Sequence, residues 1–192
     1  MKSAGLYAIL IAAMLITGCK KEEPDPATPP PPVNEEEVFT TVILRFVNNE
    51  PGVDETFTLR YTDLDGDGGQ APILQLDTIR TQRYFDLSIE LWNESVSPAV
   101  NLTGQIQSEG TDHQIFFQNE VPSLMITYDD QDPEGAPIGL NNIAQTGVAS
   151  NGTLRVTLRH GPDKNASGVA DGDITNAGGD TDVEVEFPVI VF

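Results

Sequence analysis

Residues 57–68 read FTLRYTDLDGDG, and residues 124–135 repeat the same pattern as LMITYDDQDPEG. In both stretches every second residue is apolar up to a tyrosine, Tyr61 or Tyr128, and an acidic segment ending in glycine follows. A period of two is the pattern of a half-buried β-strand, and clusters of Asp and Gly are typical of turns. We therefore predict a strand followed by an acidic loop at both places.

The same alternation predicts further strands, at residues 42–46, 87–91, 154–158 and 183–187. Strands 87–91 and 154–158 have the same offset as the two quoted stretches, which indicates an internal repeat. We predict an all-β fold, an antiparallel β-sandwich built from two repeated four-strand units, each a meander, plus a C-terminal strand. The repeats span about 38–92 and 113–160, a short helix is expected within residues 102–114, and residues 161–181 are expected to form a long loop.

The first residues resemble a signal that directs the protein to a membrane. Lys2 and the apolar run from Leu6 to Ile16 are typical of a signal peptide, because the run is too short for a bilayer span of about 20 residues. The segment from Leu15 to Cys19 resembles the lipobox of bacterial lipoproteins, which implies cleavage after residue 18 and lipid attachment to Cys19. Residues 1–18 are then the signal peptide, 19–37 a lipidated, proline-rich tether and 38–192 the β-sandwich domain.

Lysine followed by two acidic residues, at positions 21–23, resembles the surface-export signal of Bacteroidota lipoproteins. The resemblance implies an outer-membrane protein that is anchored by lipid and faces the cell exterior, with the periplasmic face as the alternative. Cys19 is the only cysteine, so the domain has no disulfide and no thiolate ligand.

The charge balance limits the classes of partner that the protein is expected to bind. The chain has 30 acidic and 10 basic residues and a formal net charge of −20, which argues against binding of nucleic acid. It allows divalent cations, basic partners or a solvated acidic surface.

The acidic loops are candidate calcium sites. Asp63, Asp65 and Asp67 alternate before Gly68, as in calcium-binding loops, although an EF-hand is excluded because strands flank the segment and Leu74 stands where the bidentate Glu should be. Ordinary turn chemistry explains such residues equally well. Further candidate ligands for Ca²⁺ are Asp130, Asp132 and Glu134 in the second loop, and Asp171, Asp173, Asp180 and Asp182 in a third acidic stretch.

The two histidines form an alternative site. His160 ends a predicted strand and His113 precedes another, so the pair can lie at a common edge and hold zinc or haem iron. Nothing in their spacing requires it. We do not expect an enzyme, since the sequence has no Cys nucleophile and no G-x-S-x-G motif. Paired carboxylates leave a glycosidase as a remote alternative.

Four motifs carry a family resemblance: YTDLDGDGG at 61–69, DHQIFF at 112–117, TLRHGPDKNASGV at 157–169 and DGDITNAGGDTD at 171–182. Their order resembles a family of small Bacteroidota lipoproteins, often labelled as type 1 periplasmic binding proteins. That label denotes a pair of α/β lobes, whereas the alternation here predicts strands. The resemblance implies the membrane address and transfers no site residue. We therefore expect a membrane-anchored binding or scaffold module, with calcium as the expected cofactor and an envelope protein as a partner. A haem- or metal-binding accessory of an uptake system is the alternative.

Overall fold

The structure is a computed structural model that describes residues 37–66 and 69–192. The predicted signal peptide, the lipidation site Cys19, the tether before residue 37 and the candidate ligand Asp67 lie outside the described residues. Contacts between Cα atoms place the described fold in one compact unit, Glu36–Phe192.

The described part of the chain is almost entirely β-structure, as predicted. All six predicted strands lie within observed strands, and the predicted helix is present as one short helix, α1. The strands are β1 Thr41–Asn48, β2 Thr56–Thr62, β3 Ile73–Leu76, β4 Tyr84–Asn93 and β5 Val100–Asn101; then, after α1 Thr103–Ser108, β6 His113–Asn119, β7 Leu124–Tyr128, β8 Asn141–Thr146, β9 Ser150–His160 and β10 Asp180–Val191.

The strands form two antiparallel sheets, which confirms the predicted sandwich. The larger sheet has the order β3-β2-β1-β4-β8-β7, with the short β5 paired to β4. The smaller sheet has the order β10-β9-β6. Buried side chains from both sheets belong to one hydrophobic core.

The first four strands follow a Greek key rather than the predicted meander. A meander would place consecutive strands side by side, but β4 returns to pair with β1 along the whole length of that strand. The resulting order, β3-β2-β1-β4, is that of a Greek key. The alternation of apolar and polar residues does not specify which strands pair. The sequence pattern therefore could not predict this connection.

The second unit keeps two of the three pairings of the first and divides them between the layers; the pairing of β1 with β2 has no counterpart, because β6 and β7 lie in different sheets. β6 pairs with β9 as β1 pairs with β4, and β7 pairs with β8 as β2 pairs with β3. However, β7 and β8 extend the larger sheet, whereas β6 and β9 build the smaller one with β10. The second half of the chain therefore contributes strands to both sheets.

The core is formed by the inward side chains of the alternating strands. Four phenylalanines are among the largest fully buried side chains, Phe46, Phe85, Phe116 and Phe187. Full burial of such a side chain contributes roughly 1.5–3 kcal/mol. Because the domain has no cysteine, this apolar packing is its main source of stability.

The predicted long loop between β9 and β10 is present and packs against the smaller sheet. It contains two single 3₁₀ turns, Val169–Asp171 and Ile174–Asn176. Val169 and Ala177 are buried against Phe116 of β6 in a second apolar cluster. A few small apolar residues are therefore enough to hold this glycine-rich segment in place.

Candidate metal centre

The two histidines meet at one end of the smaller sheet. His113 is the first residue of β6, His160 is the last residue of β9, and the two are direct partners in the antiparallel register. Their rings pack edge to face, with centroids 4.6 Å apart. The two histidines, which the sequence analysis placed at a common edge, are thus neighbours across the ladder of β6 and β9.

A β-bulge brings a carboxylate to the histidines. In the ladder between β10 and β9, Thr181 pairs with Arg159 and Val183 with Leu158, so Asp182 has no partner residue. A bulge of this kind redirects a side chain out of the regular alternation. Among the described residues, His113, His160 and Asp182 are the group of three potential metal ligands whose donor atoms all lie within 4.8 Å of one another.

The distances between the donor atoms suit a small metal ion. The Nε2 atom of His113 lies 3.0 Å from the Nδ1 atom of His160 and 3.5 Å from the Oδ2 atom of Asp182. The third separation, between His160 Nδ1 and Asp182 Oδ2, is 3.9 Å. A tetrahedral ion with bonds of about 2.0–2.1 Å spaces its ligand atoms about 3.3 Å apart. The observed separations bracket this value.

The end of α1 fixes which nitrogen of His113 carries the hydrogen. Its Nδ1 atom lies 3.1 Å from the main-chain oxygen of Glu109, the residue that caps α1. A carbonyl oxygen can only accept, so Nδ1 donates its hydrogen and the neutral ring keeps its lone pair on Nε2. That lone pair accepts a hydrogen bond from His160 Nδ1 at 3.0 Å, which a bound metal ion would replace. Metal-binding histidines usually have this arrangement, in which a backbone carbonyl holds the second nitrogen.

Two carboxylate oxygens at the site are buried without a hydrogen-bond partner in the described part of the protein, Asp182 Oδ2 and Glu37 Oε2. The Glu37 oxygen lies 3.8 Å from His113 Nε2. His113 is completely buried, while the side chains of Asp182 and Glu37 are 14% and 11% exposed. A buried, unpaired carboxylate is costly, so this cluster favours a positive charge among its members.

Burial and neighbouring charges also shift the pKa values of Glu37 and His113. Burial raises the pKa of Glu37, and the charge of His113 opposes this only in part. For His113, burial lowers the pKa, but Asp182, the Glu109 carbonyl and the Glu37 charge together raise it above its ordinary value. A proton on His113 and a metal ion on its Nε2 atom are thus alternative ways to balance the carboxylates.

In the first acidic loop, the described aspartates shape the turn. Asp63 Oδ1 accepts a hydrogen bond from the amide of Gly66 at 3.0 Å, and Asp65 Oδ2 accepts one from the amide of Gln70 at 2.9 Å. These are the bonds of ordinary turn chemistry. Calcium bound by Asp63, Asp65 and Asp67 stays a prediction.

In the second acidic loop, the carboxylates are engaged by other donors. Asp130 accepts from the amides of Gly139 and Asn141, at 2.7 and 2.9 Å. Asp132 accepts from two backbone amides and from the ammonium of the buried Lys164, whose Nζ atom lies 2.9 Å from Oδ2. Glu134 is exposed. Lys164 supplies the positive charge that the sequence analysis assigned to calcium in this loop, and calcium there stays a prediction.

The structure therefore brings together the alternative pair, His113 and His160, with Asp182 from the third acidic stretch. In residues 37–66 and 69–192, no such group of three includes a residue of the first two acidic loops. Asp182 was predicted as a calcium ligand and not as the partner of the histidines, because a bulge has no signature in this sequence. Glu37 was assigned to the tether, and no pattern in the sequence singles out Glu37 or Lys164.

Comparison with known proteins finds no family model, no curated protein and no solved structure that matches this chain. The lipoprotein resemblance stays an expectation from the sequence motifs. In the described residues no helix has the length and apolar character needed to cross a membrane.

Proposed function

We propose that the domain binds one zinc ion through His113 Nε2, His160 Nδ1 and Asp182 Oδ2, and that it serves as the metal-binding module of a cell-envelope lipoprotein. The observation that carries the proposal is the convergence of these three donor atoms beside a buried carboxylate oxygen that has no hydrogen-bond partner. A bound dication would supply the positive charge that the cluster favours.

The donor set favours zinc over the calcium expected from the acidic loops. Calcium takes six to eight oxygen ligands, whereas two imidazole nitrogens and one carboxylate are typical of zinc and its neighbours in the first transition row. Haem fits less well, since a porphyrin needs a flat cavity beside its axial histidine. Here His113 is completely buried and the two histidine nitrogens lie only 3.0 Å apart.

A route from solvent to the site is present. Asp182 lines an open depression whose wall also includes Asp63, Glu184 and Tyr61. His160 is 28% exposed at its side chain. The acidic wall would raise the local concentration of cations, which gives the first acidic loop a supporting role without direct coordination.

We assign binding rather than catalysis to the site. A catalytic zinc keeps one position open to water and substrate, and here a second buried carboxylate, that of Glu37, stands beside the three ligands. The envelope address rests on the lipobox-like residues 15–19 and on the motif at 21–23. Mass spectrometry of the mature N-terminus tests it: a lipid-modified Cys19 is expected, and an unmodified cysteine would contradict the address.

Calorimetric titration of the purified protein with zinc, copper, iron(II), calcium and magnesium tests the metal proposal. Zinc is expected to bind at one site per chain, and Asp182→Asn is expected to weaken binding at least tenfold. Asp180→Asn is the matched control, because Asp180 lies on the same strand and is exposed. Loss of affinity in both variants, or no zinc binding by the unaltered protein, would refute the proposal.

A further inference from the structure

We propose that Glu37 is the fourth zinc ligand and that the bound ion fastens the first residues of the domain to the smaller sheet. This inference rests on the proposed zinc site. It assigns a second task to the ion, since residue 37 is the point at which the expected tether ends and the sandwich begins. Zinc would then control how firmly the domain holds the chain that leads to its anchor.

The first support is the position of the Glu37 carboxylate. Its Oε2 atom lies 3.8 Å from His113 Nε2, the nitrogen that carries the lone pair, and this oxygen is buried without a hydrogen-bond partner among the described residues. The side chain is slightly more buried than that of Asp182. A glutamate side chain is normally solvated, so its burial beside two histidines calls for a partner.

The second support is the way the side chain is held. Gln105 of α1 donates a hydrogen bond from its Nε2 atom to Glu37 Oε1. This bond leaves Oε2 as the oxygen that faces His113. The same short helix therefore positions two members of the site, because its capping residue, Glu109, accepts from His113 Nδ1.

The third support is the backbone. Glu37 precedes the first ladder of the sheet: the amide of Thr40 donates to the Trp92 carbonyl at 2.9 Å, and β1 begins at Thr41. Residues 37–39 are outside any strand. Phe39 packs against the hydrophobic core, and the Glu37 side chain adds the contact with the histidine end of the smaller sheet.

Glu37 is not a member of the group whose donor atoms all lie within 4.8 Å. To complete a tetrahedron its carboxylate has to turn inward about its side-chain bonds, which are free to rotate between staggered positions. Zinc would be held first by the two histidines and Asp182, and Glu37 would close the coordination. The arrangement gives a four-coordinate site, as in structural zinc centres.

The test compares Glu37→Gln with Glu109→Gln in the full chain. Both variants remove one negative charge near His113, since the carboxylate oxygens lie 3.8 and 4.0 Å from its two ring nitrogens. Only Glu37 lies near Nε2, the nitrogen proposed to bind the metal. Zinc affinity is expected to fall at least tenfold in Glu37→Gln and to change less than threefold in Glu109→Gln.

Hydrogen exchange at Val38 and Phe39 provides the second readout. Zinc is expected to slow exchange at these amides in the unaltered protein and in Glu109→Gln, but not in Glu37→Gln. If Glu37→Gln keeps both the affinity and the protection, the role of Glu37 is refuted while the zinc site stands. If the unaltered protein binds no zinc, both proposals fall together.

Discussion

At the scale of single residues, the buried pair of Lys164 and Asp132 is the strongest polar feature outside the metal centre. Besides its bond to Asp132, the Lys164 ammonium donates to the carbonyls of Gly110 and Pro137. It thereby connects the long loop to the second acidic loop and to the turn after α1. This pair could not be predicted from the sequence, because a lysine in a glycine-rich loop is normally solvated.

Replacing Lys164 with Met is expected to destabilise the protein by about 3–5 kcal/mol, because it leaves the Asp132 carboxylate buried and uncompensated. Urea denaturation measures the change. The double variant Lys164→Met, Asp132→Asn is the control and should recover much of the loss, since the uncompensated charge is gone. A single variant within 1 kcal/mol of the unaltered protein would contradict the role of the pair.

The same pair sets an acid limit for stability. Burial raises the pKa of Asp132, but hydrogen bonds from Lys164 and two backbone amides outweigh it, so the pKa lies below its ordinary value of 3.8. The folded state therefore holds this proton less tightly than the unfolded state. The stabilising contribution is complete above pH 3.8 and is lost as the pH falls through the folded-state pKa.

Urea titrations at several pH values below 5 measure that loss. We expect the slope of unfolding free energy against pH to be smaller in Asp132→Asn than in the unaltered protein. Asp173 has a lowered pKa from its own hydrogen bond to Thr175, so Asp173→Asn serves as a comparison at an exposed position. Equal slopes in the unaltered protein and Asp132→Asn would show that Asp132 does not contribute.

At the scale of elements, alternation predicted the long strands well and the polar or isolated ones poorly. The residues of β3 are all exposed, and β8 has the polar sequence NNIAQT. These two strands exist because β2, β4 and β7 offer partners, and that information is not local. The histidine pair was within reach of sequence reasoning, since one residue begins a strand and the other ends one, whereas the bulge at Asp182 was not.

The turn that leads from the long loop into β10 lies against the main chain of His160, a member of the proposed metal centre. Gly178 and Gly179 both have positive φ, at 61° and 69°, a region that costs other residues roughly 1–2 kcal/mol. A Cβ atom on Gly178 would meet nothing within 4 Å, but one on Gly179 would collide with the main-chain oxygen of His160. Substitutions at the two glycines therefore distinguish the effect of backbone strain alone from the effect of moving His160.

We expect Gly178→Ala to destabilise the domain modestly and to leave zinc affinity within threefold of the unaltered protein. Gly179→Ala is expected to destabilise it more and to weaken zinc binding at least tenfold, because the end of β9 must move. Thermal denaturation and calorimetric titration measure the two effects. Equal zinc affinity in both variants would show that the position of His160 tolerates the shift.

At the scale of the whole molecule, the domain is a sandwich without a disulfide, so an ion bound at the proposed site would add measurably to its stability. Zinc at 100 times its dissociation constant should add about 2.7 kcal/mol. For a domain of this size that corresponds to a rise in Tm of roughly 5–10 °C. Thermal unfolding with zinc, calcium, magnesium or chelator measures it.

We expect zinc alone to give the full rise, and His160→Ala to remove it. A calcium-specific rise that disappears in Asp65→Ala would instead support the first acidic loop as a structural calcium site.

The layer to which each strand belongs, and hence the place where the two halves meet, could not be predicted, because identical alternation suits either sheet. The sandwich itself followed from alternation and turn chemistry alone.

The register of β6 against β9 has a consequence for the order of events in folding. Its two histidines are 47 positions apart in the chain, and Asp182 comes from a third strand. Such distant segments meet late, because long-range contacts carry the largest entropic cost of closing loops. If zinc binds as proposed, it would need all three segments in place, so it would slow unfolding and leave the folding rate unchanged.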